Sequence, residues 1–261
     1  MKVGISTASL YGKMYTEQAL EFFARNHVCC AEVFLSSFCE YKEAFGKELL
    51  RVKGNVEVYS IHTLNSQFEG QLFAHSHRQY ADALEIFESA LRVGNMLGAK
   101  VYVMHGPAQM KYTKYVTNYA FFGSRSAELA QLAGQYGMTL TWENVHWAHY
   151  NHPSFMKNIR ENAGGTFLGN TLDIKQAAQS DVTVDAYIKD MDGNIKNIHV
   201  VDMDEEGNLV LPGKGCYDFK ALFKKIGVYD GAVMIEVYDG CFQKPAELIK
   251  SYEWLKNTLM Q

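Results

Sequence analysis

Six acidic or histidine side chains follow short apolar segments of this chain, each at the point where a strand is predicted to end. The central one is Glu143, which comes directly after the apolar and β-branched residues 138–142. The same pattern recurs along the chain, and the six residues in order are His62, His105, Glu143, Asp173, His199 and Glu236. A buried or half-buried carboxylate is costly unless a cation or a proton accompanies it. The repetition therefore predicts one shared site.

Four of the six, Glu143, Asp173, His199 and Glu236, form a predicted metal-binding set. Carboxylates with one imidazole suit Mn²⁺, Mg²⁺, Co²⁺ or Zn²⁺, and no thiolate competes among them. Without a cation, carboxylates that converge on one rim repel each other. The alternative is four separately satisfied polar residues, which is less favoured because all four come at equivalent strand ends. We therefore predict one divalent cation at this set.

Glu143 and Glu236 also suit a proton-transfer mechanism. A divalent cation that holds two adjacent substrate oxygens stabilises the enediolate formed when a proton leaves the carbon beside a carbonyl. A glutamate on each face of that planar intermediate can act as base and as acid. The pair predicts an isomerase or epimerase of a sugar, sugar phosphate or polyol. A dehydratase of a keto-polyol starts from the same proton abstraction and remains the alternative.

The elements that must position these residues alternate strand and helix eight times. A chain of 261 residues with 48% hydrophobic content suits an α/β barrel of roughly 250 residues. No linker or low-complexity segment interrupts it, so we expect a single domain over residues 1–261. The turn at residues 7–12 lacks the glycine-rich phosphate motif of a doubly wound sheet. The pattern predicts an α/β fold, a (β/α)₈ TIM barrel, with its catalytic groups at the C-terminal strand ends.

Charge and cysteine usage restrict the partners. The net charge is −4 without any run of Lys or Arg, which disfavours nucleic acid and anionic membranes. Five cysteines without CxxC spacing are typical of reduced, buried thiols in a cytoplasm. Met1 and Lys2 lead directly into a strand and no apolar run reaches membrane-spanning length, so we expect a cytoplasmic protein without a signal peptide. The oligomeric state stays open, a homo-oligomer included.

Aromatic loops follow several of the strands and fit a sugar or polyol substrate. Rings stack on the C–H faces of a sugar, while Asn, Gln and His bind its hydroxyls. One predicted loop covers residues 63–77, and another, with Tyr112 and Tyr115, precedes a helix predicted over 126–136. The residues expected by position to line the substrate are Tyr11, Phe68, Phe121, Trp147 and Tyr238. Lys214 between two glycines suits a phosphate, although a plain structural turn is the favoured interpretation.

His62 and His105 permit two interpretations. They bind a second metal that Glu143 bridges to the first, or they hydrogen-bond a polyol and orient Glu143 without touching a metal. We favour the second interpretation, because the third ligand of such a metal would have to be shared.

The strand-end motifs resemble a known superfamily. They are Thr141-Trp142-Glu143-Asn144, Leu172-Asp173, Ile198-His199 with Asp202, the turn Gly213-Lys214-Gly215, and Ile235-Glu236. They are similar to the xylose-isomerase-like barrels, which include sugar isomerases, ketose 3-epimerases, inosose dehydratases and apurinic endonucleases of the endonuclease IV type. In the ketose epimerases both matching glutamates bind the metal and move the proton. The resemblance therefore implies catalytic roles for Glu143 and Glu236 and coordinating roles for Asp173 and His199.

Two departures from the epimerase pattern concern substrate recognition. Gln176 stands where that branch carries a histidine, and the acidic run 204–206 stands where it carries an arginine. Gln176 still hydrogen-bonds a hydroxyl, so it remains an expected substrate-binding residue. The endonuclease alternative is distant, because the third zinc site of those relatives lacks its ligands at Gln176 and at 207–209.

Overall fold

Eight parallel strands close into one barrel, and the computed structural model describes residues 1–109 and 117–260 of the chain. The strands in chain order are β1 (Lys2–Ser6), β2 (Cys30–Leu35), β3 (Glu57–Thr63), β4 (Val101–Met104), β5 (Thr139–Glu143), β6 (Gly169–Asp173), β7 (Ile195–Val200) and, after a small hairpin, β10 (Ala232–Ile235). Strand β1 pairs with both β2 and β10, which closes the barrel. The predicted (β/α)₈ TIM barrel is confirmed.

Helices surround the barrel on its outer face. In chain order they are α1 (Thr16–Arg25), α2 (Glu43–Val52), α3 (Asn65–Phe68), α4 (His77–Leu97), α5 (Tyr119–Gln135), α6 (Phe155–Glu161), α7 (Ile174–Gln179), α8 (Val184–Met191), α9 (Phe219–Ile226) and α10 (Pro245–Met260). Three short 3₁₀ helices cover Thr7–Leu10, Glu69–Phe73 and Asp239–Cys241. Among the described residues, no helix combines the length and the apolar character needed to cross a membrane.

Two segments differ from the sequence-based expectation. The stretch 63–77, predicted as one long loop, contains α3 and a 3₁₀ helix. Helix α5 begins at Tyr119, earlier than predicted, because the Asn118 side chain accepts a hydrogen bond from the Phe121 N–H and caps the helix. Tyr112 and Tyr115 lie outside the described residues.

The barrel interior is divided between an apolar half and a polar half. Six side chains form a buried apolar cluster inside the barrel: Cys30, Tyr59, Val101, Val103, Ala232 and Met234. Toward the C-terminal strand ends the inward-facing residues become polar and stay buried, as with Glu32, Ser60 and Asn197. Buried polar groups need partners, so this half of the barrel is where a polar site is to be sought.

The loop after β7 is tied to a single carboxylate. Asp202 begins the hairpin of β8 (Asp202–Met203) and β9 (Leu209–Val210). Its Oδ2 accepts the backbone N–H groups of Gly213 and Gly215 at 2.9 and 3.1 Å, and its Oδ1 accepts that of Tyr217 at 2.9 Å. A Cβ on Gly215 would lie 2.2 Å from the Met203 carbonyl oxygen, so only glycine fits there. The loop is therefore a fixed wall beside the C-terminal rim.

Candidate metal centre

The side chains of Glu143, Asp173, His199 and Glu236 meet at the C-terminal end of the barrel. One ligand atom from each lies within 4.8 Å of those of the other three, and all four residues are buried. Glu143 and Asp173 are the last residues of β5 and β6, and Glu236 directly follows β10. Asp173 stands directly opposite His199 in the pairing of β6 with β7. Parallel register thus delivers the four side chains to one point.

The ends of β5 and β6 are locked together by one amide side chain. Asn144 Nδ2 donates to the Asp173 carbonyl at 2.8 Å, and the Asp173 N–H donates to Asn144 Oδ1 at 2.8 Å. Asp173 also begins α7, because its Oδ1 accepts the Gln176 N–H at 2.8 Å. These bonds leave Oδ2 of Asp173 to face the centre.

His199 stands in the middle of the carboxylates. Its Nδ1 is 3.3 Å from Glu143 Oε1, 3.4 Å from Glu236 Oε2 and 3.8 Å from Asp173 Oδ2. Burial lowers the pKa of His199, but Glu236, Glu32 and Glu143 outweigh burial and raise it well above its usual value. The imidazole therefore carries a proton when no metal is bound.

The donor set fits a divalent cation. Glu143 Oε2 and Asp173 Oδ2 are buried oxygens without a hydrogen-bond partner. Burying them is costly unless a cation serves as the missing partner. Burial raises the pKa of Asp173 to about 7, because the cation Lys175 only partly offsets burial and the neighbouring Glu143 adds to it. These residues would hold one divalent ion through carboxylate oxygens and Nδ1 of His199.

Glu32 belongs to the site, although the sequence analysis gave it no role. It is fully buried on β2, and its Oε2 lies 3.1 Å from His199 Nε2. Ser6, Ser60 and Asn197 all donate to its two oxygens. A carboxylate on the outer nitrogen of a ligating histidine fixes the tautomer that presents the other nitrogen to the metal. The available signal was a lone acidic residue inside an otherwise apolar strand.

Lys175 is the second residue that the sequence analysis missed. It lies in the first turn of α7 with 3% of its surface exposed. Its Nζ is 3.0 Å from Glu236 Oε2 and 3.3 Å from Asp173 Oδ2. Burial lowers the pKa of Lys175, yet Asp173 and Glu236 raise it well above the usual value, so the side chain is an ammonium.

His62 and His105 contact each other beside Glu143. Their Nε2 atoms are 2.9 Å apart, and Glu143 Oε2 is 3.8 Å from His62 Nε2 and 3.3 Å from His105 Nε2. Burial lowers the pKa of His62, but Glu236 and Glu32 beside its Nδ1 raise it to about 10. The geometry would also permit a metal among His62, His105 and Glu143, or among Glu32, His62 and Glu236.

Of the remaining predicted substrate residues, three contact residues at or next to the candidate site and two do not. Gln176 is buried, and its Oε1 lies 2.6 Å from His146 Nδ1. The Trp147 ring lies 5.2 Å from that of His105, and the half-exposed Tyr238 lies over the Lys175 ammonium at 4.6 Å. Phe68 and Phe121 have their ring contacts elsewhere. Phe68 is 1% exposed in the core against Tyr41, and Phe121 stacks on His75.

Tyr11 borders a cavity of about 690 Å³ near the candidate metal centre. The cavity opens between the segments that follow β1 and β2, and its lining includes Tyr11, Tyr15, Lys13, Phe34, Ser36 and Glu40. Phe34 links it to the site, because Phe34 lines the cavity and its ring packs edge-on against His62 at 5.4 Å. Tyr11 in turn packs edge-on against Phe34 at 5.6 Å. A volume of this size accommodates a ligand well beyond the metal itself.

Comparisons with known proteins agree with the fold. A family model described as the xylose isomerase-like TIM barrel matches residues 20–258. No curated protein matches the chain significantly.

Solved structures resemble the chain over its whole length. A D-tagatose 3-epimerase-like protein is 22% identical with a TM-score of 0.77, over 100% of this chain and 97% of its own. The D-psicose 3-epimerase of Clostridium cellulolyticum H10, solved with D-tagatose, is 13% identical with a TM-score of 0.77, over 99% and 98%. IOLI protein, solved with a zinc atom, is 17% identical with a TM-score of 0.75, over 99% and 97%. At these identities the likeness shows the fold.

Proposed function

The chain belongs to the xylose isomerase-like TIM barrel family, and on that premise we propose that it is a divalent-metal-dependent isomerase or epimerase of a sugar or polyol. The observation that carries the proposal is the meeting of two glutamates, Glu143 and Glu236, at one candidate metal centre. Their strands, β5 and β10, are separated by two others in the barrel. The two carboxylates therefore approach the centre from different sides, as a base and an acid on the two faces of a planar intermediate require.

The structural neighbours support this class of reaction. Two of them are, by name, a D-tagatose 3-epimerase-like protein and a D-psicose 3-epimerase, and a third holds zinc. Epimerisation beside a carbonyl begins with removal of a proton from carbon, which the paired glutamates can perform. We propose on this support that the chain is a sugar-acting enzyme that uses a divalent metal, with Mn²⁺, Mg²⁺, Co²⁺ and Zn²⁺ all suited to its ligands.

Each residue of the site has a proposed part in the reaction. A divalent cation, when bound, supplies Lewis acidity at two adjacent substrate oxygens. Glu143 and Glu236 then exchange the proton with the substrate carbon, one from each face. Asp173 and His199 would hold the cation, and Glu32, in contact with Nε2 of His199, would leave its Nδ1 free as the ligand.

His62 and His105 are assigned to substrate and to Glu143 rather than to a second metal. Their Nε2 atoms contact each other at 2.9 Å, so each imidazole already has a partner in the other. The protonated His62, with its pKa raised to about 10 by Glu236 and Glu32 against burial, is a hydrogen-bond donor beside the proton-transferring glutamates. Such a donor suits a substrate hydroxyl or carbonyl oxygen.

The cavity beside His62 supports a sugar or polyol. Its lining combines the rings of Tyr11, Tyr15 and Phe34 with polar groups such as Ser36 and Glu40. Rings and hydrogen-bonding groups in one cavity are the combination that sugar carbons and hydroxyls require. We propose that the part of the substrate distant from the reacting carbons lies there.

The test is a panel of ketoses, ketose phosphates and keto-polyols, assayed with each of the four metals in D₂O and followed by NMR. We expect deuterium at the carbon beside the carbonyl, or a slowed reaction when that carbon carries deuterium. A product that has lost water relative to the substrate would identify a dehydratase instead. Glu143→Gln and Glu236→Gln should each abolish turnover with metal content measured alongside, whereas the surface variant Glu88→Gln should retain it.

The proposal fails if no compound of the panel shows carbon–hydrogen cleavage with any metal. Cleavage of oligonucleotides at abasic sites by the pure protein, in place of sugar turnover, would assign the chain to the endonuclease relatives.

A further inference from the structure

A permanent positive charge is built into one side of the candidate metal centre. The Lys175 ammonium is 3.0 Å from Glu236 Oε2 and 3.3 Å from Asp173 Oδ2, and the side chain is 3% exposed. The centroid of the Tyr238 ring lies 4.6 Å from Nζ. Burial of an ammonium group is costly unless neighbouring carboxylates compensate its charge, and here two of the proposed ligands do so.

The charges at the candidate metal centre indicate what the lysine contributes. Glu143, Asp173 and Glu236 bring three negative charges to the centre. A divalent cation neutralises two of them, and Lys175 neutralises the third. A reaction that places a further negative charge on a substrate oxygen then starts from a neutral site, where that charge is stabilised most effectively by a fixed cation.

The Lys175 ammonium lies beside Glu236 and Asp173, and no such contact joins it to Glu143. A substrate carbon that exchanges its proton with Glu236 lies about 3–3.5 Å from that carboxylate. The carbonyl oxygen on the neighbouring carbon, which takes the negative charge when that proton leaves, is then within reach of Nζ, because Nζ and Glu236 Oε2 are themselves in contact. One ammonium N–H donates to Glu236 Oε2, and the Asp173 carboxylate adds an ion pair at 3.3 Å. N–H groups of the ammonium therefore remain for a ligand.

From these contacts we propose that Lys175 is a specificity-determining residue: its ammonium binds the substrate oxygen that becomes negatively charged when the carbon proton is removed. The inference rests on the proposed isomerase or epimerase function and adds the group that recognises the charged oxygen. It selects for substrates with two adjacent oxygens, one facing the metal and one shared with Lys175. A lysine that only balances the charge of the empty site would contribute nothing to ligand binding once a metal is present.

The experiment uses glycolohydroxamate, whose two adjacent oxygens imitate an enediolate and whose binding requires no turnover. Its dissociation constant is measured by calorimetry on the Zn²⁺-saturated wild type and on Lys175→Met, Lys175→Gln and Lys175→Arg. We expect the dissociation constant to rise about tenfold or more in the two neutral variants, since a hydrogen bond to a charged group is lost. Lys175→Arg should retain part of the affinity. The matched control is Lys196→Met, which removes a lysine that also lies over an aromatic ring, Phe167, but away from the ligands.

Zinc affinity is measured separately on every variant, because a loss of metal would imitate a loss of ligand binding. Zinc should bind the neutral variants at least as tightly as the wild type, since a like charge beside the cation is removed. Equal hydroxamate affinity in the wild type and the neutral variants would overturn the proposal for Lys175 and leave the proposed function intact. Failure of both neutral variants to fold with zinc would overturn it as well, by assigning Lys175 to structure alone. Absence of hydroxamate binding by the zinc-loaded wild type would instead count against the proposed function itself.

Discussion

Glu32 and His199 come from strands that two others separate in the barrel, yet Glu32 Oε2 lies 3.1 Å from His199 Nε2. The contact decides which imidazole nitrogen carries the proton when a metal is bound. With Nε2–H directed to Glu32, Nδ1 is the free lone pair, and Nδ1 is the nitrogen that faces Glu143, Asp173 and Glu236.

Glu32→Gln should therefore weaken metal binding while leaving the fold unchanged. A glutamine is able to donate its amide N–H to Nε2, which favours the tautomer with the proton on Nδ1. We expect a loss of about 10–100-fold in metal affinity, the usual effect of removing such a partner. Titration calorimetry with Zn²⁺ measures it, and circular dichroism shows whether the barrel persists. Unchanged affinity in a folded variant would mean that the carboxylate has no part in orienting His199.

Metal binding should release protons and strengthen as the pH rises. Burial lowers the pKa of His199, but Glu236, Glu32 and Glu143 raise it well above the ordinary value, so the metal-free imidazole holds a proton at pH 7. A ligating imidazole must be neutral. Asp173, whose pKa burial raises to about 7, contributes a further partial proton near neutrality. Calorimetry in two buffers of different ionisation enthalpy counts the released protons, and an affinity independent of pH between 6 and 8 would contradict the prediction.

Removal of the metal should lower the melting temperature of the protein. A ligand present at about 1,000 times its dissociation constant stabilises a native protein by about 4 kcal/mol, which for a chain of this size corresponds to roughly 10 °C. We expect Asp173→Asn to lose most of this gain, because it removes a ligand charge. The surface variant Asp185→Asn, which only loses an ion pair with Lys225, should keep it. Melting curves with and without a chelator provide the measurement.

Tyr11 and Tyr15 should affect substrate affinity more than turnover. Both rings border the cavity beside His62, and they are 55% and 72% exposed, so alanine at either position should leave the fold intact. We expect each substitution to raise KM about two- to tenfold, because an aromatic contact contributes about 0.5–1.5 kcal/mol. Phe38→Ala removes a ring that is 55% exposed, as Tyr11 is, and that does not line the cavity. Equal effects of all three substitutions on KM would exclude the cavity as part of the substrate site.

The strand-end residues could be predicted because the geometry of a parallel barrel allows few alternatives. A side chain at the carboxyl end of each strand must face the same rim, and the structure brings Glu143, Asp173, His199 and Glu236 together there. Glu32 lies inside β2, where residues on both faces are buried. Alternation therefore does not reveal which face points inward.

Lys175 and Phe68 show what local sequence patterns leave out. Lys175 follows the strand end by two residues, in a position where lysine is ordinarily a solvated helix residue, and only the tertiary structure turns it toward Glu236. Phe68 was expected on an open loop, but α3 forms there and buries its ring against Tyr41. The loop–helix distinction depended on packing that the sequence does not display.

In the turn Gly213-Lys214-Gly215, the place of a bound anion is taken by the Asp202 carboxylate. The backbone N–H groups of Gly213 and Gly215 that would face a phosphate donate to Asp202 Oδ2 instead. A carboxylate on the same chain has an effective concentration in the millimolar range or above, and a free phosphate would have to displace it. The backbone N–H groups of the turn are thus occupied within the chain, and inorganic phosphate should leave the amide resonances of Gly213 and Gly215 unshifted.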